Sequence, residues 1–154
     1  FYAVRNALLP GHARGKSDRV PWTIFTDPEV ARVGMTEREA RDKYGDDVKA
    51  AFLPMDRVDR AQTENERAGL IKIVVRGKGE ILGAHVVAAR AGEMIHEYVL
   101  AIEHGLKMGD LAKAIHVYPT FSSGTQQVTS KYAVTATLKS ATGRVAKAIG
   151  DWLR

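Results

Sequence analysis

Cysteine is absent from the 154 residues. That excludes a disulfide framework, a thiolate nucleophile and cysteine-ligated zinc, and it fits a cytoplasmic protein. No stretch holds 18 consecutive apolar residues, so no membrane span is expected. The opening FYAVRNALLPG has a short apolar stretch and no small-residue cleavage site after a basic region, so it does not read as a signal peptide. Neither an H-E-x-x-H spacing nor another metal-ligand pattern occurs, and no metal is expected. Internal repeats and low-complexity stretches are missing too.

What is present is ordinary for a folded domain: 45% apolar and 27% charged residues. A chain of this length buries roughly 68–70% of its unfolded surface. The net charge is +5, but it is unevenly spread. From Lys131 onward, Lys131, Lys139, Arg144, Lys147 and Arg154 face Asp151 alone. The rest of the chain is close to neutral and carries no aromatic-rich RNA-type motif. A nucleic-acid surface needs basic residues clustered on the folded body, so none is expected.

In chain order, Phe1, Val4, Leu8 and Leu9 fall at helical spacing, and Pro10-Gly11 ends that helix. The chain opens in mid-helix without a cap or an initiator Met, which suggests a fragment of a longer protein. A basic loop follows from His12 to Arg19. Val20–Phe25 and Val30–Val33 read as strands around the turn Thr26-Asp27-Pro28-Glu29. Thr36 and Glu39 form a capping box for a helix ending at Gly45. Lys49–Leu53 reads as a strand, and Asp56–Glu66 as irregular or a short helix. Leu70–Val75 and Ile81–Ala88 form a hairpin around Arg76-Gly77-Lys78-Gly79-Glu80.

Gly77, Gly79 and Gly83 superficially suggest a nucleotide fingerprint. Their spacing is G-x-G-x-x-x-G, and a strand follows where pyrophosphate binding needs a helix N-terminus. They are read as a turn.

Met94, Ile95, Tyr98, Val99, Ile102 and Leu106 give Glu93–Leu106 one apolar stripe, with Glu93, His96, Glu97, Glu103 and His104 as its solvated side. His85, within a strand, reads as a satisfied structural histidine. Thr120 or Ser122 caps a further helix through Gln126, Val128, Tyr132 and Ala133. Leu138, Ala141, Val145, Ala148, Ile149 and Trp152 then repeat at helical spacing, with basic residues largely opposite. Such a helix packs on its own domain or a partner, and less commonly lies on an anionic membrane. Strands followed by helices imply an α+β domain, mostly antiparallel β-sheet with helices packed beside it, plus a C-terminal helical extension.

The candidate site lies at Ile115–Ser123. Pro119 restricts Tyr118 to extended geometry. Side chains two apart on an extended segment share a face, so His116 and Tyr118 are expected to point together, beside the hydroxyls of Thr120, Ser122 and Ser123.

Two blocks carry a family resemblance. Phe25–Ala40, FTDPEVARVGMTEREA, is similar to F-T-x-P-E-x-A-x-V-G-x-T-E, and Glu93, Glu97, Glu103, Gly105, Leu106, Asp110, Leu111, Pro119 and Thr120 match a second pattern ending in His-Pro-Thr-x-x-Glu. Both resemble the C-terminal dimerisation domain of the flavin-dependent disulfide oxidoreductases, the family of dihydrolipoamide dehydrogenase, glutathione reductase and mercuric reductase. The resemblance spans roughly Phe1–Ala133. It implies the end of a flavin-domain helix and linker over 1–19 and the interface domain over 20–134; the basic amphipathic extension over 135–154 lies beyond the resemblance.

The resemblance further implies a homodimer with FAD and NAD(P)H bound by other domains of the same polypeptide, and no cofactor in this fragment alone. The expected role is to form the dimer interface and add residues to the partner's dithiol and flavin site, in a protein serving cellular redox balance. The family places a His and an orienting Glu there, since an imidazole near neutral pKa exchanges protons with a thiolate. Here Tyr118 stands at the His place and Ser123 at the Glu place. A phenol of pKa near 10 is only about 0.1% ionised at pH 7, a poor base but a good hydrogen-bonding group. Tyr at that place resembles mercuric reductase, although that enzyme's C-terminal Cys pair is missing. The resemblance therefore assigns Tyr118 and His116 as catalytic candidates, Pro119 and Thr120 beside the partner's flavin, and a cis bond before Pro119. The competing readings are a free-standing dimerisation module and a basic membrane-surface adaptor.

Overall fold

A computed structural model of the chain describes residues 1–13 and 19–140. Five strands form one antiparallel sheet: β1 (Trp22–Ile24), β2 (Glu29–Gly34), β3 (Val48–Pro54), β4 (Leu70–Arg76) and β5 (Glu80–Ala88), in the spatial order β1-β2-β5-β4-β3. The expected α+β architecture is therefore the one observed. Among the described residues, six α-helices accompany the sheet: α1 (Tyr2–Leu8), α2 (Glu37–Tyr44), α3 (Asp59–Thr63), α4 (Ala91–Glu103), α5 (Met108–Lys113) and α6 (Ser123–Lys139). Among the described residues, no helix is long and apolar enough to cross a membrane.

The period-2 pattern of the strands divides the core in two. Ile71, Ile73 and Val75 of β4, with Ala84 and Val86 of β5, face a large core completed by Met94, Ile95, Tyr98 and Ile102 of α4 and by Phe121 and Val128. Val74 and Leu82 face the other way and pack with Ala40 of α2. A β-bulge between Val74 and Val75 interrupts the alternation.

Local chemistry sets the boundaries. Thr36 and Glu39 close the expected capping box, with Thr36 Oγ1 accepting from the Glu39 amide and Glu39 accepting from the Thr36 amide. Arg90 is the N-cap of helix α4, and its side chain makes no capping bond. Its Gly92 N–H instead donates to Glu29 Oε2 across the fold at 2.8 Å, so a residue from β2 caps it.

Gly77 and Gly79 hold positive φ in the β4–β5 turn, as expected. Gly83 does not belong to that turn. It lies within β5 opposite Gly34, where a Cβ would fall 2.1 Å from the Met35 carbonyl oxygen. Gly124 serves a similar purpose in α6, since a Cβ there would sit 2.8 Å from Ile71 Cδ1 and 2.9 Å from Val58 Cγ2. Its bare backbone lets α6 approach the sheet.

Helix α6 continues beyond Ala133 to Lys139 and ends at an extended Ser140. The remaining stripe of the expected extension, Ala141 to Trp152, lies outside the described residues.

His85 differs from its expected satisfied state. Both ring nitrogens are buried without a hydrogen-bond partner. On β5 it stands across from Arg32 of β2 and Lys72 of β4. Those cations are committed to α2, Arg32 to Glu39 at 2.7 Å and Lys72 to Glu37 at 2.8 Å. Burial chiefly, then Arg32 and Lys72, pull the His85 pKa down to about 4.

Candidate functional site

Residues 114–120 form a strap between α5 and α6 with no regular secondary structure. The Tyr118–Pro119 bond is cis. Four side-chain contacts hold the strap. Thr120 Oγ1 donates to the Val117 carbonyl at 2.7 Å, Gln126 Nε2 donates to the Ala114 carbonyl at 3.1 Å, His116 reaches α4, and Tyr118 reaches α3.

His116 turns inward, its side chain only 10% exposed. Nε2 lies 3.0 Å from Glu97 Oε1, and Nδ1 lies 3.1 Å from the Ala114 carbonyl oxygen. Both neighbours are acceptors, so a neutral ring serves only one of them, whereas a proton on each nitrogen serves both. Glu97 was expected on solvated helix surface. It is instead half-buried and bound to this ring.

Tyr118 points elsewhere. It is 69% exposed, and its hydroxyl donates to Asp59 Oδ2 at 2.7 Å. The hydrogen bond to that carboxylate, and then its charge, raise the phenol pKa above its ordinary value. The shared face expected for His116 and Tyr118 is thus not what they use, since the segment is not a regular strand. One side chain anchors the strap to α4, and the other meets α3.

Ile115 is 96% exposed and Val117 78%. The strap therefore presents two aliphatic side chains outward beside the phenol. Thr120 Oγ1 accepts from the Ser123 amide at 3.3 Å, and Ser122 makes no capping bond, which resolves the two expected caps in favour of Thr120. Ser123 is buried, and its hydroxyl donates to the Thr120 carbonyl at 2.6 Å and not to Tyr118.

The signals missed in sequence were Asp59 and Glu97. Asp59 opens a five-residue helix in a segment expected to be irregular or a short helix, and Glu97 has the helical position of a surface residue.

Among the described residues, no group of three or more His, Asp or Glu is placed to hold a metal ion. The glycine turn at Gly77–Gly79 runs into β5 and not into a helix, so it offers no N-terminal cradle for a pyrophosphate.

Residues 20–129 match the family profile described as "Pyridine nucleotide-disulphide oxidoreductase, dimerisation domain". The chain belongs to this family. Among its curated relatives, the mercuric reductase of Bacillus cereus is 41% identical over 123 residues, covering 79% of this chain and 19% of the relative. Dihydrolipoyl dehydrogenase 1, mitochondrial, of Arabidopsis thaliana is 37% identical over 117 residues, covering 75% and 23%. The chain thus spans about a fifth of the length of these relatives.

Among solved structures, LpdA of Mycobacterium tuberculosis superposes with a TM-score of 0.75 at 29% identity, over 84% of this chain and 28% of that one. The HOCl-induced flavoprotein disulfide reductase RclA of Escherichia coli gives 0.74 at 32% identity, over 82% and 30%. Membership in a dimerisation-domain family implies homodimer formation within that family. RclA is a flavoprotein disulfide reductase, and this chain corresponds to the dimerisation domain of the family.

Proposed function

We propose that this chain forms the homodimer interface of a flavin-dependent NAD(P)H disulfide oxidoreductase of mercuric-reductase-like type. It lends Tyr118 and His116 to the dithiol site of the partner subunit, with Pro119 and Thr120 beside the partner's flavin. FAD, NAD(P)H and the dithiol are held by other domains of the same polypeptide. The strap is the observation that carries this reading. Ile115, Val117 and Tyr118 stand exposed together on a segment whose backbone and His116 are pinned to α4 and α6. An aliphatic pair beside a phenol suits burial against another protein surface, since exposed large side chains grouped on one segment favour association.

In this reading the His116–Glu97 contact holds the strap at a set height. Tyr118 is the group that meets the partner's sulfur. Flavin, when bound elsewhere in the polypeptide, supplies the electron exchange between nicotinamide and dithiol.

The test has two arms on the natural polypeptide that carries this segment. Its absorbance spectrum and its NAD(P)H oxidation with a disulfide acceptor report the redox class. Sedimentation of the Val117→Asp variant reports the interface. The expected results are a bound flavin, turnover with the acceptor, and a dimer weakened at least 100-fold by the buried charge. A colourless protein overturns the redox reading, and an unchanged dimer constant overturns the role of the strap.

A further inference from the structure

Helix α6 outruns the domain it belongs to. The matched family stretch ends at residue 129, whereas α6 continues to Lys139, and every residue from Val134 to Lys139 is exposed. Val128, Lys131, Thr135 and Leu138 fall at i, i+3, i+7 and i+10, so they share one face of the helix. The inner end of that face borders a groove of about 260 Å³ against the edge strand β3, lined by Ala50, Phe52, Val128, Tyr132 and Thr135. Leu138 at the overhanging end is 61% exposed, and Phe52 across the groove is 52% exposed.

We propose that this groove seats Trp152, with residues 141–154 of the same chain returning along α6 as an intramolecular clamp. The chain leaves the helix direction at Ser140, which is extended at φ −71° and ψ 167° and whose hydroxyl donates to the Thr137 carbonyl at 2.6 Å. Val128 and Trp152 stand equally far from Ser140, one on either side in sequence. A return along α6 at the helical rise of about 1.5 Å per residue therefore brings Trp152 level with Val128. Ala141, Val145, Ala148, Ile149 and Trp152 recur at helical spacing and supply an apolar stripe to match. Asp151, the one acidic residue of the segment, then arrives within a turn of Lys131 at the groove's rim.

Size and tethering favour this occupant over others. A drug-sized ligand occupies a pocket of about 300–1,000 Å³, more than the groove offers. One aromatic side chain suits it, because an aromatic ring brings a large apolar area on a rigid frame. A second copy of the chain offers the same tryptophan. A short tether, however, holds the chain's own segment at an effective concentration on the order of millimolar, above that of free copies in dilute solution. An anionic membrane attracts Arg144, Lys147 and Arg154 but leaves the groove beside β3 uncovered.

Trp22 and Trp152 are the two tryptophans, so Trp22→Phe in the full 154-residue chain leaves Trp152 as the sole reporter. In the folded chain Trp152 is expected to emit at shorter wavelength than in urea, with acrylamide quenching weakened several-fold. Neither reading should change on dilution. Thr135→Arg places a long charged side chain in the groove and should return both readings to those of the unfolded chain. Thr135 is exposed, and a retained urea transition shows that this variant folds. A second measurement leaves the groove's packing nearly intact. The chain has no cysteine, so a nitroxide label at Thr135→Cys reports proximity and should quench Trp152. The same label at Arg38→Cys, on the exposed side of α2, should not.

A Trp152 as accessible in the folded chain as in urea would overturn the clamp. A wavelength shift that fades on dilution would assign the groove to a second copy, and one that appears only with anionic vesicles would assign the segment to a membrane; either overturns it. Unchanged emission in Thr135→Arg, together with no quenching by the label at Thr135→Cys, would place Trp152 elsewhere on the domain and overturn it as well.

Discussion

His85 makes stability depend on pH in a window that the carboxylates leave largely untouched. The perturbation is a fall from pH 7 to pH 5, compared between the wild type and His85→Val. In the unfolded chain the imidazole titrates near pH 6.5. In the fold its pKa lies at about 4, chiefly through burial and then through Arg32 and Lys72, with Glu39 opposing them weakly. Between those values the unfolded state binds the proton and the folded state does not, so stability declines as pH falls. The full shift is worth about 1.8 kcal/mol over this interval by proton linkage. Partial solvent access to the ring screens its neighbours, and halving the figure gives about 1 kcal/mol.

Glu37 and Glu39 titrate lower. The pKa of Glu37 is depressed mainly by its bond to Lys72, and that of Glu39 mainly by the Thr36 amide. Their stabilising effect is present above the ordinary carboxylate range and is lost only below it, so pH 5 leaves most of it in place. Urea unfolding at the two pH values provides the assay. Wild type should lose about 1 kcal/mol more than His85→Val between pH 7 and pH 5. Equal losses in the two proteins would refute the reasoning, because the ring would then be hydrated or bonded in solution.

Two further predictions concern packing and capping. Gly124→Ala forces a methyl against Ile71 and Val58 and should cost about 1–3 kcal/mol, measured as a lower urea midpoint with unchanged m-value; an unchanged midpoint would mean α6 shifts freely. Glu29→Ala removes the acceptor that caps α4 and should cost about 1 kcal/mol. Glu29→Gln keeps an acceptor oxygen and should cost less, and hydrogen exchange at the Gly92 amide should rise most in the Ala variant.

Local patterns were legible where the physics is local. The capping box at Thr36 and Glu39, the β4–β5 turn and the buried stripe of α4 each depend on residues a few positions apart. The site was legible only as a list of side chains. His116 and Tyr118 were visible, but their partners lie far away in sequence, Glu97 on α4 and Asp59 on α3. A glutamate on a polar helix face has the same pattern whether it meets water or a histidine. His85 was misread for the opposite reason. Its strand position is plain, but its unpartnered state depends on Arg32 and Lys72 having found Glu39 and Glu37 first.

The strand order has a consequence for how copies of this domain can meet. Its two edges are β1 and β3. An open edge can template addition of another strand, the usual first step of runaway aggregation. Here β1 is only three residues long, and β3 carries Lys49 and closes on Pro54, which has no amide proton to offer. The sheet is thus poorly suited to strand addition from either end. If copies associate through the strap as proposed, they do so by side-chain contact and leave the sheet edges out of the interface.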